Sequence, residues 1–110
     1  MIEKIVLDYL NKTLDVPAYM ERPTEPPQRF VLLEKTGSSG ENHIKNATFA
    51  IQSHAETLYQ AAVLNENVKE AMNNIVSTED IGRSELNSDY NFTNTNRKEY
   101  RYQAVYEIYY

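Results

Sequence analysis

Residues 29–54 read Arg-Phe-Val-Leu-Leu-Glu-Lys-Thr-Gly-Ser-Ser-Gly-Glu-Asn-His-Ile-Lys-Asn-Ala-Thr-Phe-Ala-Ile-Gln-Ser-His. The first eight are rich in β-formers around an apolar centre, the pattern of a strand that can be covered on both faces. Residues 47–54 alternate, with Ala47, Phe49 and Ile51 on one face and Thr48, Gln52 and His54 mostly on the other. Between them, residues 37–46 are polar, charged and glycine-bearing. Two strands around such a segment predict a hairpin with a long tip. With few apolar contacts to hold it, residues 36–46 are expected to be mobile until a partner orders them.

Outward from the hairpin, both directions read as helix and sheet. Ile2, Ile5, Val6, Tyr9 and Leu10 recur at helical spacing with Glu3, Lys4, Asp8 and Asn11 opposite, which predicts an amphipathic helix. It should stop near Leu14, because Val16 precedes Pro17 and the residue before a proline is pushed out of the helical region. Residues 17–27 contain all four prolines and read as an extended connection. Ser53 followed by Glu56 matches a capping box, after which Leu58, Ala61, Ala62, Val68, Met72 and Ile75 form one stripe. Asn65 interrupts that stripe, so a bend is expected near it, and the helix should end by Ser77.

The last third reads as β. Leu86, Ser88, Tyr90 and Phe92 alternate, residues 93–97 supply turn chemistry, and Tyr100, Tyr102, Ala104, Tyr106, Ile108 and Tyr110 line one face of a final strand. The opposite face, with Arg101, Gln103, Val105, Glu107 and Tyr109, is mixed. The order α-β-β-α-β-β predicts an α+β fold: a mostly antiparallel sheet of about four strands with two helices packed on one face. A chain of 110 residues is the size of one domain, so residues 1–110 are expected to share one core. That core should join Ile5, Val6, Leu10, Phe30, Leu32, Phe49, Ile51, Leu58, Val68 and Met72.

Composition narrows the function. The formal net charge is −5, the wrong sign for a protein whose main ligand is nucleic acid. With no cysteine there is neither a disulfide framework nor a thiolate metal site. The apolar runs are too short for a membrane span, and the N-terminus lacks the basic lead of a secretion signal, so a soluble protein of a reducing compartment is expected. The Asn-x-Thr triplets at Asn11, Asn46 and Asn91 then read as chance. Six of nine tyrosines lie beyond position 89, which suits either a core strand or a surface buried on association.

Chemistry is sparse. His43 and His54 have no carboxylate at ligand spacing. Ser53, His54 and Asp80 could be assembled into a triad only by ignoring Ser53 as a cap. Gly37 and Gly40 lack the Gly-Lys-[Ser/Thr] of a phosphate loop, and Glu79-Asp80 reads as a turn. No enzyme and no cofactor is expected. The polar tip is the more informative feature, since a long loop is usually kept for use.

The chain resembles the tail-terminator or tail-completion proteins of long-tailed phages and Gram-positive prophages. The likeness is carried by the opening helix, Val-Pro-Ala-Tyr-Met-Glu-Arg-Pro (residues 16–23), Pro-Pro-Gln-Arg-Phe-Val-Leu-Leu-Glu-Lys-Thr-Gly (residues 26–37), Ala-Thr-Phe-Ala-Ile-Gln-Ser-His-Ala (residues 47–55) and Leu-Tyr-Gln-Ala-Ala (residues 58–62). Gly-Ser-Ser-Gly (residues 37–40) departs from the tighter glycine turn of that family. The resemblance implies a ring, commonly of six copies, that stops the tail tube and meets the head connector. Partners would be the chain itself, the tail tube protein and head connector proteins, in the virion tail after assembly in the host cytoplasm. Expected assembly contacts are Ser38, Ser39, Glu41, Asn42, His43 and Lys45 in the tip, with Arg83, Glu85, Arg101 and Glu107 on polar strand faces. The alternatives are a small peptide- or ligand-binding module that uses the sheet face as a groove, or another head-tail connector or minor capsid component.

Overall fold

The computed structural model describes residues 1–41 and 44–110. Ile2, Val6 and Leu10, four apart, bury one stripe of helix α1 (Ile2–Thr13), and Lys4 pairs with Asp8 on the solvent side. Leu14 turns extended as its N–H closes the last helical bond to Leu10. Asn11 then reaches Ala18 with both ends of its amide, at 2.8 and 3.1 Å, and so aligns strand β1 (Ala18–Tyr19) beside the helix.

Strand β1 runs parallel to β2 (Phe30–Glu41) and adds a fifth strand to the four expected. Strand β3 (Ile44–Ala55), helix α2 (Leu58–Asn73), a 3-10 turn (Ile75–Ser77), β4 (Arg83–Asn91) and β5 (Tyr100–Tyr109) complete the chain. The sheet order is β1-β2-β3-β5-β4, antiparallel except for β1. This is the expected α+β architecture. Both helices cover one face, where Val31 and Leu33, Phe49 and Ile51, and Ala104, Tyr106 and Ile108 meet Val6, Leu10, Val68 and Met72.

Five expectations are corrected. The long polar tip is absent: β2 and β3 stay paired from Ser38↔Ala47 to Glu41↔Ile44, after a register shift at residues 35–37. Backbone pairing supplies what apolar contacts do not, so polar composition alone did not make a loop. Only Asn42 and His43 separate the strands, and both lie outside the described residues.

Ser53 is not a helix cap but a buried strand residue, because β3 continues two residues further. Thr57 caps α2 through Gln60 N–H, and Glu56 instead pairs with Arg29. Leu58, at the first turn of α2, is exposed, and Leu32 lies half-buried on the sheet's other face. Asn65 does not bend α2. It is buried inside a continuous helix and donates to Asp89 on β4 at 2.8 Å. Of the two alternatives open for the tyrosines of β5, an exposed surface does not hold for the whole set: it fails at Tyr106, which is fully buried, while Tyr100 and Tyr102 are half-buried. The Tyr106 hydroxyl sits 2.9 Å from Asn73 Oδ1 and 3.2 Å from the Lys69 carbonyl, and burial pushes its pKa up to about 12.

Candidate functional site

Alternation that sends Phe49, Ile51, Ala104 and Tyr106 toward the helices sends their neighbours to the face that no helix covers. There, Leu32, Gln52, Gln103 and Tyr90 form one row across four strands, and Phe30, His54 and Arg101 form the next, with Phe92 beyond β4. Side-chain hydrogen bonds run along the first row. Gln103 Nε2 donates to the Tyr90 hydroxyl at 2.5 Å, Gln52 Nε2 to Gln103 Oε1 at 3.0 Å, and His54 Nε2 meets Gln52 Oε1 at 3.0 Å. An acceptor at that distance places the His54 proton on Nε2.

His54 stacks on Phe30 with ring centroids 4.5 Å apart. Burial, and then the positive charges of Arg101 and Arg22, lower its pKa from 6.5 to about 4. The native state therefore binds fewer protons than the unfolded chain at acidic pH. The stability His54 contributes is complete above pH 6.5 and is lost as pH falls toward 4. Discounted for solvent screening, the loss should be about 1–2 kcal/mol. Unfolding in urea at pH 7 and 4.5 measures it. His54→Phe, which keeps the stack, should flatten the dependence in that window. Glu3, held below its ordinary value by a backbone hydrogen bond and then by Lys35, and Glu56 and Asp89, held down first by Arg29 and Lys69, lose their contributions at lower pH still.

The opposite end of this face gathers three of the anticipated contact residues. Glu107 accepts from Thr48 at 2.8 Å and Asn46 at 3.2 Å, and lies across from Glu85, which is paired with Arg83. The Arg83 guanidinium sits over the Tyr109 ring at 5.3 Å. The exposed Ser39 donates to Asn46 beside them, and Ser38 and Lys45 are exposed nearby on the hairpin. Glu41 pairs with Ile44 in the backbone ladder. Arg101 stands apart, six residues up β5 from Glu107 or about 20 Å. Its Nε donates to the Phe92 carbonyl at 2.7 Å and its guanidinium covers the Phe92 ring at 4.7 Å. Of the described members of the anticipated set, all but Arg101 thus lie toward the hairpin end of the sheet, and Arg101 lies at the other end.

Two features of this surface were missed in the sequence. The Gln52–Gln103–Tyr90 row requires the β3–β5 register, which alternation alone does not supply. The sheet also ends in two unlike free edges. Strand β1 pairs with β2 only at Val31 and Leu32, and beyond Leu33 no strand among the described residues pairs with that edge. Strand β4 is the other edge, polar and bulged between Leu86 and Ser88, two devices that blunt indiscriminate pairing.

Ser53 and His54, adjacent on a strand, point to opposite faces, and Asp80 lies beyond the other end of β5, so these three do not converge. Among the described residues, no three His, Asp or Glu side chains are grouped to hold a metal ion. No described helix is long and apolar enough to cross a membrane. On the helix side an open groove lies between the end of α1 and α2, lined by Tyr9, Leu14, Val16 and Leu64. No protein-family model matches the chain, and no curated protein does.

Proposed function

We propose that the chain is a structural subunit that closes into a ring with its own copies, ends a phage tail tube and takes part in head-tail joining. The observation that carries this reading is the sheet face that no helix covers, bounded by two unlike edges. A closed ring needs a heterologous interface, in which each subunit offers one surface and receives a different one. The half-buried polar row and the exposed Tyr90 and Phe92, packed edge to face at 6.0 Å, suit burial against another protein. The resemblance of most of the first 75 residues, from the opening helix on, to tail terminators supplies the biological setting, and the acidic charge disfavours DNA as the partner.

Deleting the gene from its phage and imaging lysates by electron microscopy tests the reading. Filled heads beside unjoined, often overlong tails are expected. Normal virions would overturn it, and empty heads beside normal tails would move the protein to the capsid or to packaging. The same open face favours a peptide-binding module as the second reading. A stable monomer that captures an extended peptide across Gln52 and Gln103, with virions intact in the deletion, would select it.

A further inference from the structure

At the Phe30 end of the sheet, a cavity of about 180 Å³ lies over the Phe30–His54 stack, walled by Pro26 and Pro27. Two cations line it, Arg22 and Lys98. Arg22 rests on the Phe30 ring at 5.6 Å, and among the described residues neither cation has a carboxylate within ion-pair distance. The neighbouring positive charges are engaged: Arg29 with Glu56, and Arg101 with Glu99, the one acid on the cavity wall. Lys98 is held with φ 55°, in a turn closed by reciprocal backbone hydrogen bonds between Asn94 and Glu99. A lysine rarely adopts that conformation, and the turn over-determines it. The result is a small pocket lined by two cations that have no ion-pair partner among the described residues, on a protein of net charge −5.

A matching feature stands at the other end of β5. Glu79 and Asp80 are exposed in a turn pinned by the buried Ile81, by Ile81 N–H to the Thr78 carbonyl at 3.1 Å and by Gly82 N–H to the Tyr109 carbonyl at 2.8 Å. Neither carboxylate forms an ion pair or side-chain hydrogen bond among the described residues, whereas Glu85 and Glu107 are engaged. The cavity opens beside Tyr100 and the turn beside Tyr109, toward opposite ends of a molecule 45 Å long.

We propose that the cavity receives a carboxylate of the 78–82 turn from a second copy, joining copies head to tail. The contact rests on the ring reading and names its surfaces. It is heterologous, so it repeats from copy to copy and forms a ring where the rotation between copies closes, and each charge-assisted bond in a half-enclosed pocket is stronger than one on open surface. A nucleic acid is a poorer occupant, because backbone recognition needs a stripe of cations and this chain is acidic overall.

Two complementary double variants test it: Arg22→Glu with Lys98→Asp, an aspartate being tolerated at positive φ, and Glu79→Lys with Asp80→Lys. Each is checked for folding by circular dichroism and followed by sedimentation across a concentration series at low and high salt. Wild type should associate, more weakly in high salt. Each variant alone should associate at least about tenfold more weakly. An equimolar mixture should regain association, because the reversed cavity of one accepts the reversed turn of the other. Folded variants that associate like wild type, or a mixture that stays apart, would overturn this contact and leave the ring reading standing. Wild type that remains monomeric at every concentration would overturn the contact together with self-assembly.

Discussion

Replacing Phe49 by Ala is expected to lower the free energy of unfolding by about 3–5 kcal/mol. Phe49 is fully buried on the central strand β3, opposite Lys35 of β2 and Tyr106 of β5, on the face that both helices cover. Removing the ring there deletes apolar contacts on every side and leaves a cavity that a sheet hydrogen-bonded on both edges cannot close. Leu58→Ala is the informative control. The sequence places both residues in the core, but Leu58 is 39% exposed at the start of α2, and its loss should cost under about 1 kcal/mol. Urea unfolding of the two variants measures the contrast. Equal destabilisation would contradict the register of β3 or the position of α2.

Asn65→Asp should cost about 3 kcal/mol at pH 7, with a pH dependence of its own. Asn65 is 2% exposed. Its amide donates to Asp89 Oδ1 at 2.8 Å, while Asp89 Oδ2 accepts from Lys69 at 2.8 Å, a cluster that ties the edge strand β4 to α2. Its own Oδ1 has no hydrogen-bond partner. The substitution therefore removes a donor, buries a second carboxylate against the first and provides it with no new partner. Repulsion and burial raise the introduced carboxyl's folded pKa, so the native state keeps that proton to higher pH than the unfolded chain. The penalty, relative to wild type, should be small below about pH 4 and grow as pH rises through neutrality. Asn65→Leu removes the unpaired oxygen and leaves Asp89 with Lys69, so it should stay within about 1 kcal/mol of wild type. A penalty for Asn65→Asp independent of pH would show that steric change, not charge, was responsible.

Much of this architecture was legible from periodicity. The 3.6-residue stripe of Ile2, Val6 and Leu10 and the two-residue alternation of Ala47, Phe49 and Ile51 each name their element and its buried face. Those signals suffice for two helices on a mostly antiparallel sheet, because each apolar face must be buried against another. Residues 37–46 were misread because composition records what side chains prefer, while strands 30–41 and 44–55 are joined by backbone bonds that glycine and serine donate as readily as valine. The same limit explains Thr57 replacing Ser53 as the cap: Ser-x-x-Glu is a local pattern, and the ladder from β3 to β5 extends through Ala55.

The candidate surfaces divide along the same line. Alternation along a strand is a covalent property of the chain, so it already assigns His54, Gln52, Gln103, Glu107 and Arg101 to the side away from the core. Which of them meet is set by strand order and register. The pairing Gln52↔Gln103 builds the polar row, Glu85↔Glu107 gathers acids at one end, and His54↔Arg101 sets Arg101 beside the Phe30 cavity with Arg22 and Lys98. For Tyr106, which alternation puts beside Ala104 and Ile108, the place of β5 between β3 and β4 decided for the core. Strand order and register arise from the sum of many long-range contacts, and a shift of one residue would exchange the buried and open faces, so no local stretch encodes them.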